Sequence, residues 1–125
     1  MVDFLSHGIP MANYDWAITN PPFKLIEPFI VEMRKVAYNI AVLARLQWLE
    51  GKGRYERLWR ETPPSDVLVF SERVHIVEGR LANDTDGKTA TAFAWYVWDS
   101  SKLTRETNPT QLHWIPPRGS QDKML

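Results

Sequence analysis

The pair Pro21-Pro22, set directly behind the apolar run Trp16-Ala17-Ile18-Thr19, constrains this chain more than any other feature. Neither proline has a backbone N–H to give to a neighbouring strand, so a strand through Thr19 must end at Asn20. Behind the prolines, Leu25, Phe29, Ile30, Met33, Val36 and Ala37 recur at three- and four-residue spacing, which predicts a helix with one apolar stripe. Pro28 then falls in or near the first turn, where a missing donor is tolerated.

Asn39–Leu46 reads as a strand buried on both faces, as expected for parallel strands covered by helices. Gly51 and Gly53 interrupt the chain before Arg54–Arg60, a short helix closed by Pro63-Pro64. Asp66–Phe70 predicts a third strand, for which Val74–Val77 is a candidate extension, and Ala90–Trp98 a fourth, joined to it by a turn around Asp84-Thr85-Asp86-Gly87. Leu112–Ile115 adds a small edge strand. The expected fold class is therefore α/β, an open mixed sheet ending in an antiparallel hairpin, in a single domain over residues 1–117 with a flexible tail over 118–125.

Composition narrows the function classes. The 125 residues suffice for one modest core, and no apolar run approaches the roughly 20 residues that cross a bilayer. No membrane partner is expected, and the first residues lack the pattern of a secretory signal, which points to the cytoplasm. With no cysteine, disulfides, thiolate metal sites and cysteine nucleophiles are out. Fifteen basic residues balance fifteen acidic ones, so any nucleic-acid contact must be local. Lys52, Arg54, Arg57 and Arg60 form the densest basic stretch, but Glu50, Glu56 and Glu61 interleave with it, which reads as a solvated helix face. His7, His75 and His113 have no partner at metal-ligand spacing. Asp84-Thr85-Asp86-Gly87 has the composition of a calcium loop but fits a hairpin turn better. Trp48 and Trp59 fit core packing better than the lining of a cleft.

The chemistry-bearing motif is Asn20-Pro21-Pro22-Phe23, at the carboxyl end of a strand, where open α/β sheets place their ligands. An exocyclic amine on a nucleobase is a poor nucleophile because its lone pair is delocalised into the ring. Two acceptors at its hydrogens, the Asn20 side-chain oxygen and the Pro21 carbonyl, would stabilise positive charge developing on nitrogen as it attacks a methyl group. The prolines stiffen the loop so that the acceptors are prepositioned. Phe23 offers a face for a base flipped out of the duplex.

These four residues resemble the catalytic motif of the amino-group DNA methyltransferases, in particular the adenine-specific ones. Leu43-Ala44-Arg45-Leu46, Leu49-Glu50-Gly51, Arg54-Tyr55, Phe70-Ser71-Glu72-Arg73-Val74 and Thr89-Ala90-Thr91-Ala92 are similar to phage and prophage members of that family, so the resemblance runs roughly from Asp3 to Pro117. It implies methyl transfer from S-adenosylmethionine to adenine in DNA, with Asn20, Pro21, Pro22 and Phe23 as catalytic residues. It also implies a cofactor role for Asp3, accepting from the adenine amine of S-adenosylmethionine, and for Phe4, packing on that ring. The same tetrad serves methylation of RNA bases and of glutamine amides, which are the alternative substrates.

The chain departs from the family upstream of the tetrad. A complete enzyme has there a strand, a glycine-rich turn for the donor and an acidic residue for its ribose. Nineteen residues precede Asn20 here, and Gly8 is the one glycine among them. The expectation is a partial Rossmann-like methyltransferase fold, truncated to its C-terminal half and lacking the N-terminal cofactor-binding strands. The Trp16–Thr19 strand would then present an unpaired edge, so the chain is expected to pair with a second copy or with a complementing chain. A non-catalytic prophage remnant, or the partner half of a split enzyme, is the alternative to an active transferase.

Overall fold

The computed structural model describes residues 14–77, 80–81, 90–103 and 109–118. Strand β1 (Tyr14–Thr19) stops at the prolines, as their missing donors require. A 3₁₀ turn, Phe23–Leu25, leads into helix α1 (Ile26–Met33), with Pro28 as its third residue, inside the tolerant first turn. The helix is shorter than its apolar spacing predicts. Ile26, Ile30 and Met33 form the buried stripe, but Val36 lies beyond the helix and Ala37 opens strand β2 (Ala37–Arg45). The reversal is closed by backbone bonds from Lys35 N to Glu32 O and from Val36 N to Met33 O, with no glycine or proline to announce it.

After β2 come a 3₁₀ turn, Leu46–Leu49, and a short helix α2 (Lys52–Arg54) that widens into a π-helical turn, Tyr55–Trp59. Strand β3 (Asp66–Phe70) has the expected bounds, and Val74–Val77 forms a separate strand, β4, rather than an extension of it. The break lies where Ser71 N donates to Ile115 O and where Arg118 bonds Glu72, so the chain turns towards its own later segment. The return runs through β5 (Arg80–Leu81), β6 (Ala90–Thr91) and β7 (Phe93–Trp98), then α3 (Ser100–Leu103) and β8 (Gln111–Ile115). The turn at Asp84–Gly87, the pair Asp3 and Phe4, His7 and the tail beyond 118 lie outside the described residues.

The main sheet has the order β1-β2-β7-β3-β8, and β4 pairs with β5 and β6 in a smaller one. β1 and β2 are parallel, joined through α1 as a strand–helix–strand unit. β7 inserts antiparallel between β2 and β3, pairing Val42 with Tyr96 and Val67 with Tyr96, and β8 runs parallel to β3. This is an open mixed α/β sheet with an antiparallel hairpin, as the sequence predicts. The β3–β4 and β6–β7 arms form that hairpin, and β8 is the expected edge strand.

Strand parity sorts the side chains. Ile40, Val42 and Ala44 of β2, Ala94, Tyr96 and Trp98 of β7, and Val67 of β3 share one face and pack with Ile26, Ile30, Met33 and Trp48 into the core. The opposite face carries Trp16, Ile18, Leu43, Trp95, Val97, Leu68 and Phe70. Burial of β2 on both faces is thus met unevenly: Ile40, Val42 and Ala44 are buried in the core, whereas on the other face Ala41 is buried and Leu43 only half-buried. The tryptophans also differ in burial, though not by face, since Trp114 pairs with Val69 on the core side. Trp48 and Trp98 are fully buried, but Trp16 and Trp114 are exposed.

Candidate functional site

β1 delivers Asn20 to the carboxyl end of the parallel β1–β2 pair, beside the last residues of β2. The tetrad is graded in exposure: Asn20 is half-buried, Pro21 buried, Pro22 exposed, and Phe23 presents 53% of its surface. Pro22 has extended geometry, φ −55° and ψ 142°, and its carbonyl accepts from Leu25 N at 2.8 Å to start the 3₁₀ turn. The buried ring of Pro21 anchors the loop, while Phe23 turns an aromatic face to solvent. The structure therefore brings Asn20, Pro21, Pro22 and Phe23 together at one strand end.

Downstream of β2, the 46–60 connection packs on the core and reaches the first turn of α1. Trp48 is fully buried and meets Trp59 edge-on at 4.9 Å and Tyr96 at 4.8 Å, while Trp59 stacks on Trp98 at 6.4 Å. These rings are core, as their spacing predicts. The Tyr96 hydroxyl donates to Arg45 O at 2.9 Å and so fixes the end of β2; burial pushes its pKa up.

Two arginines of this connection converge on Glu27, in the first turn of α1, four residues after Phe23. Arg57 makes a bidentate pair with it, Nε to Oε1 at 2.9 Å and Nη2 to Oε2 at 3.1 Å, and Arg54 Nε lies 3.9 Å from Oε2. Arg54 also donates from Nη1 to Trp48 O and Glu50 O, both at 2.8 Å, and its guanidinium lies over the Trp48 ring at 5.0 Å. The Arg57 hydrogen bond holds the Glu27 carboxyl below the usual glutamate range against a smaller opposing effect of burial, with the charges of Arg57 and Arg54 adding to it. The solvated-face reading of the basic stretch holds for Lys52, Arg57 and Arg60, which are exposed, but not for Arg54, which turns inward. The interleaved glutamates mask this in the sequence, because Glu27 lies 27 residues upstream of Arg54 and 30 upstream of Arg57.

A second ionic cluster lies at the other end of the sheet. Asp66 is buried and accepts from Lys102 Nζ at 2.9 Å, with His113 Nε2 at 2.8 Å. Burial alone would raise its carboxyl, but hydrogen bonds from Lys102, Ser65 and His113 outweigh that and hold it below the usual range. His113 thus has a partner that its sequence neighbourhood does not reveal. The cluster joins β3, α3 and β8 at the amino end of β3, remote along the strands from Asn20. Among the described residues no group of three His, Asp or Glu gathers as a metal site, and no helix is long and apolar enough to cross a membrane. No protein-family model matches the chain, and neither a curated protein nor a solved structure matches it.

Proposed function

We propose that this chain carries the target-base half of a methyltransferase that modifies the exocyclic amine of adenine in DNA. The observation that carries the reading is the placement of Asn20-Pro21-Pro22-Phe23 at the carboxyl end of β1, with Pro21 buried and Phe23 open to solvent. The Asn20 side-chain oxygen and the Pro21 carbonyl accept the two amine hydrogens, which draws the nitrogen lone pair out of conjugation with the ring. The Pro22 carbonyl accepts from Leu25 N in the 3₁₀ turn, so the reading assigns the acceptor role next to Asn20 to the Pro21 carbonyl. Phe23 stacks the extruded base.

The methyl donor in the resembled family is S-adenosylmethionine, and the described residues do not fit it. Gly51 is their one glycine at positive φ, and a Cβ there would meet the Arg54 side chain, so that turn serves the protein's own arginine. Asp3 and Phe4, which the resemblance assigns to the donor, lie outside the described residues. On this reading the residues above bind and orient the base, and a second chain supplies the donor site. Among the described residues β1 pairs with β2 alone, and its Trp16 and Ile18 side chains are exposed. That edge supports pairing with a second chain, another copy or a complementing one, that completes the donor site.

Titrating the chain with a single-stranded oligonucleotide carrying 2-aminopurine tests the base pocket. Saturable binding lost in Phe23→Ala and weakened at least tenfold in Asn20→Ala is the expected result; binding indifferent to both substitutions overturns the reading. Calorimetry with S-adenosylmethionine tests the division of labour. We expect no heat at millimolar donor from the chain alone, and saturable binding would overturn the need for a second chain.

A further inference from the structure

We propose that Glu27, gripped by Arg57 and Arg54, is a positioning residue for the Asn20–Phe23 loop. Neither the 3₁₀ turn after the tetrad nor α1 has a side-chain cap at its start, so the donors of that helix beginning have no local side chain to hold them. Between buried Pro21 and buried Ile26, the side chains of Pro22, Phe23, Lys24 and Leu25 are all exposed. The turn that carries Phe23 is therefore fastened at its two ends, and Glu27 adds a charged grip one residue past the second.

The receiving side is built for that grip. Arg54 is fixed before it meets Glu27, by two backbone carbonyls and by the Trp48 ring. Its Nε is buried with no hydrogen-bond partner and lies 3.9 Å from Glu27, so the carboxylate supplies the counter-charge that a half-buried guanidinium needs. Two glycines make room. A Cβ on Gly51 would lie 3.0 Å from Arg54 Nη1, and one on Gly53 would lie 2.7 Å from Arg57 Nη1. The 51–57 segment thus spends both its glycines on seating the two guanidinium groups that hold Glu27. What the positioned loop does rests on the methyl-transfer reading, whereas the positioning itself can be measured without it.

The test is amide hydrogen exchange on the isotope-labelled full chain, read at Leu25, whose N–H donates to Pro22 O within the turn. Glu27→Gln should speed exchange at Leu25 about fivefold while β7 amides keep the wild-type rate, the scale of a partly exposed but bidentate ion pair opening a local segment. Arg57→Lys, which preserves the charge, should retain most of the protection, and Gly53→Ala should lose part of it by displacing the Arg57 guanidinium. Equal acceleration at Leu25 and in β7 would mean general destabilisation and overturn the proposal, as would an unchanged Leu25 rate. Should Glu27→Gln fail to fold, Arg57→Gln, whose side chain is on the surface, gives the same reading. If Leu25 responds as stated while the wild-type chain ignores the 2-aminopurine oligonucleotide, the positioning role stands and the methyl-transfer reading falls.

Discussion

The two faces of the main sheet are made by the same strands and meet opposite fates. On β7, Ala94, Tyr96 and Trp98 are fully buried beneath α1 and the 46–60 connection, while Phe93, Trp95 and Val97, alternating with them, are half-buried on the other side. On β1, Ala17 packs against the core and its neighbour Ile18 is 65% exposed. Since side chains alternate along a strand, the apolar character of the second face is a separate feature and not a by-product of the first. Among the described residues the face beneath α1 and the 46–60 connection holds most of the fully buried side chains and hence the stability, whereas the apolar second face keeps more capacity for contact.

The largest expected effect breaks or keeps this contrast within one strand. Trp98→Ala should cost about 4 kcal/mol in urea unfolding, because it empties a packed site and removes the Nε1 donor to Thr62 O. Trp95→Ala, three residues away on the open face, should cost only about 1–2 kcal/mol. Equal costs would show that the second face is as well covered as the first.

Asp66 sharpens the contrast, since it lies on the open face yet is buried, with Lys102 and His113 closing over it. Asp66→Ala should cost about 1.5–3 kcal/mol at neutral pH, the range for a hydrogen-bonded charge. The pH dependence has a definite sign. A carboxyl whose folded pKa is lowered contributes stability above the ordinary aspartate range and loses it as pH falls through the lowered value. Unfolding midpoints of the wild type should therefore drop more steeply below about pH 4 than those of Asp66→Ala, and the two curves should converge in acid. Smaller still is Tyr96→Phe, at about 1 kcal/mol, which removes the bond to Arg45 O and leaves the ring in place.

How much of this was legible beforehand depends on the range of the physics involved. The end of β1 follows from two residues that cannot donate, and the tetrad's place at a strand end follows with it. The parallel β1–β2 unit and the hairpin also come from local period and turn chemistry. The end of α1 does not, because Val36 and Ala37 continue the helical spacing while the backbone reverses at Arg34-Lys35 without a breaker. The insertion of β7 between β2 and β3 pairs residues far apart in sequence, and no local pattern encodes it. The Glu27 grip was hidden for the same reason: the glutamates beside Arg54 and Arg57 are nearer in sequence, but the one both arginines reach is upstream in α1. Asp3 and Phe4 lie outside the described residues, so their assignment has no structural counterpart here.

The smallest expected effect on stability is the most informative about the open side. Ile18→Lys places a charge on an exposed residue of β1, so a folded monomer should lose no more than about 0.5 kcal/mol. Natural edge strands use lysine to prevent pairing with another chain, and β1 has none, its one charged residue being Asp15. If the edge pairs with a second copy, light scattering should show an oligomer for the wild type and a monomer for Ile18→Lys at unchanged fold. A wild type that is monomeric at high concentration would transfer the role to a complementing chain, because a copy would then have had every opportunity to bind. If instead Ile18→Lys destabilises the monomer as much as Trp98→Ala does, Ile18 is packed against the protein's own chain, and the division between a stabilising face and a contact face fails at β1.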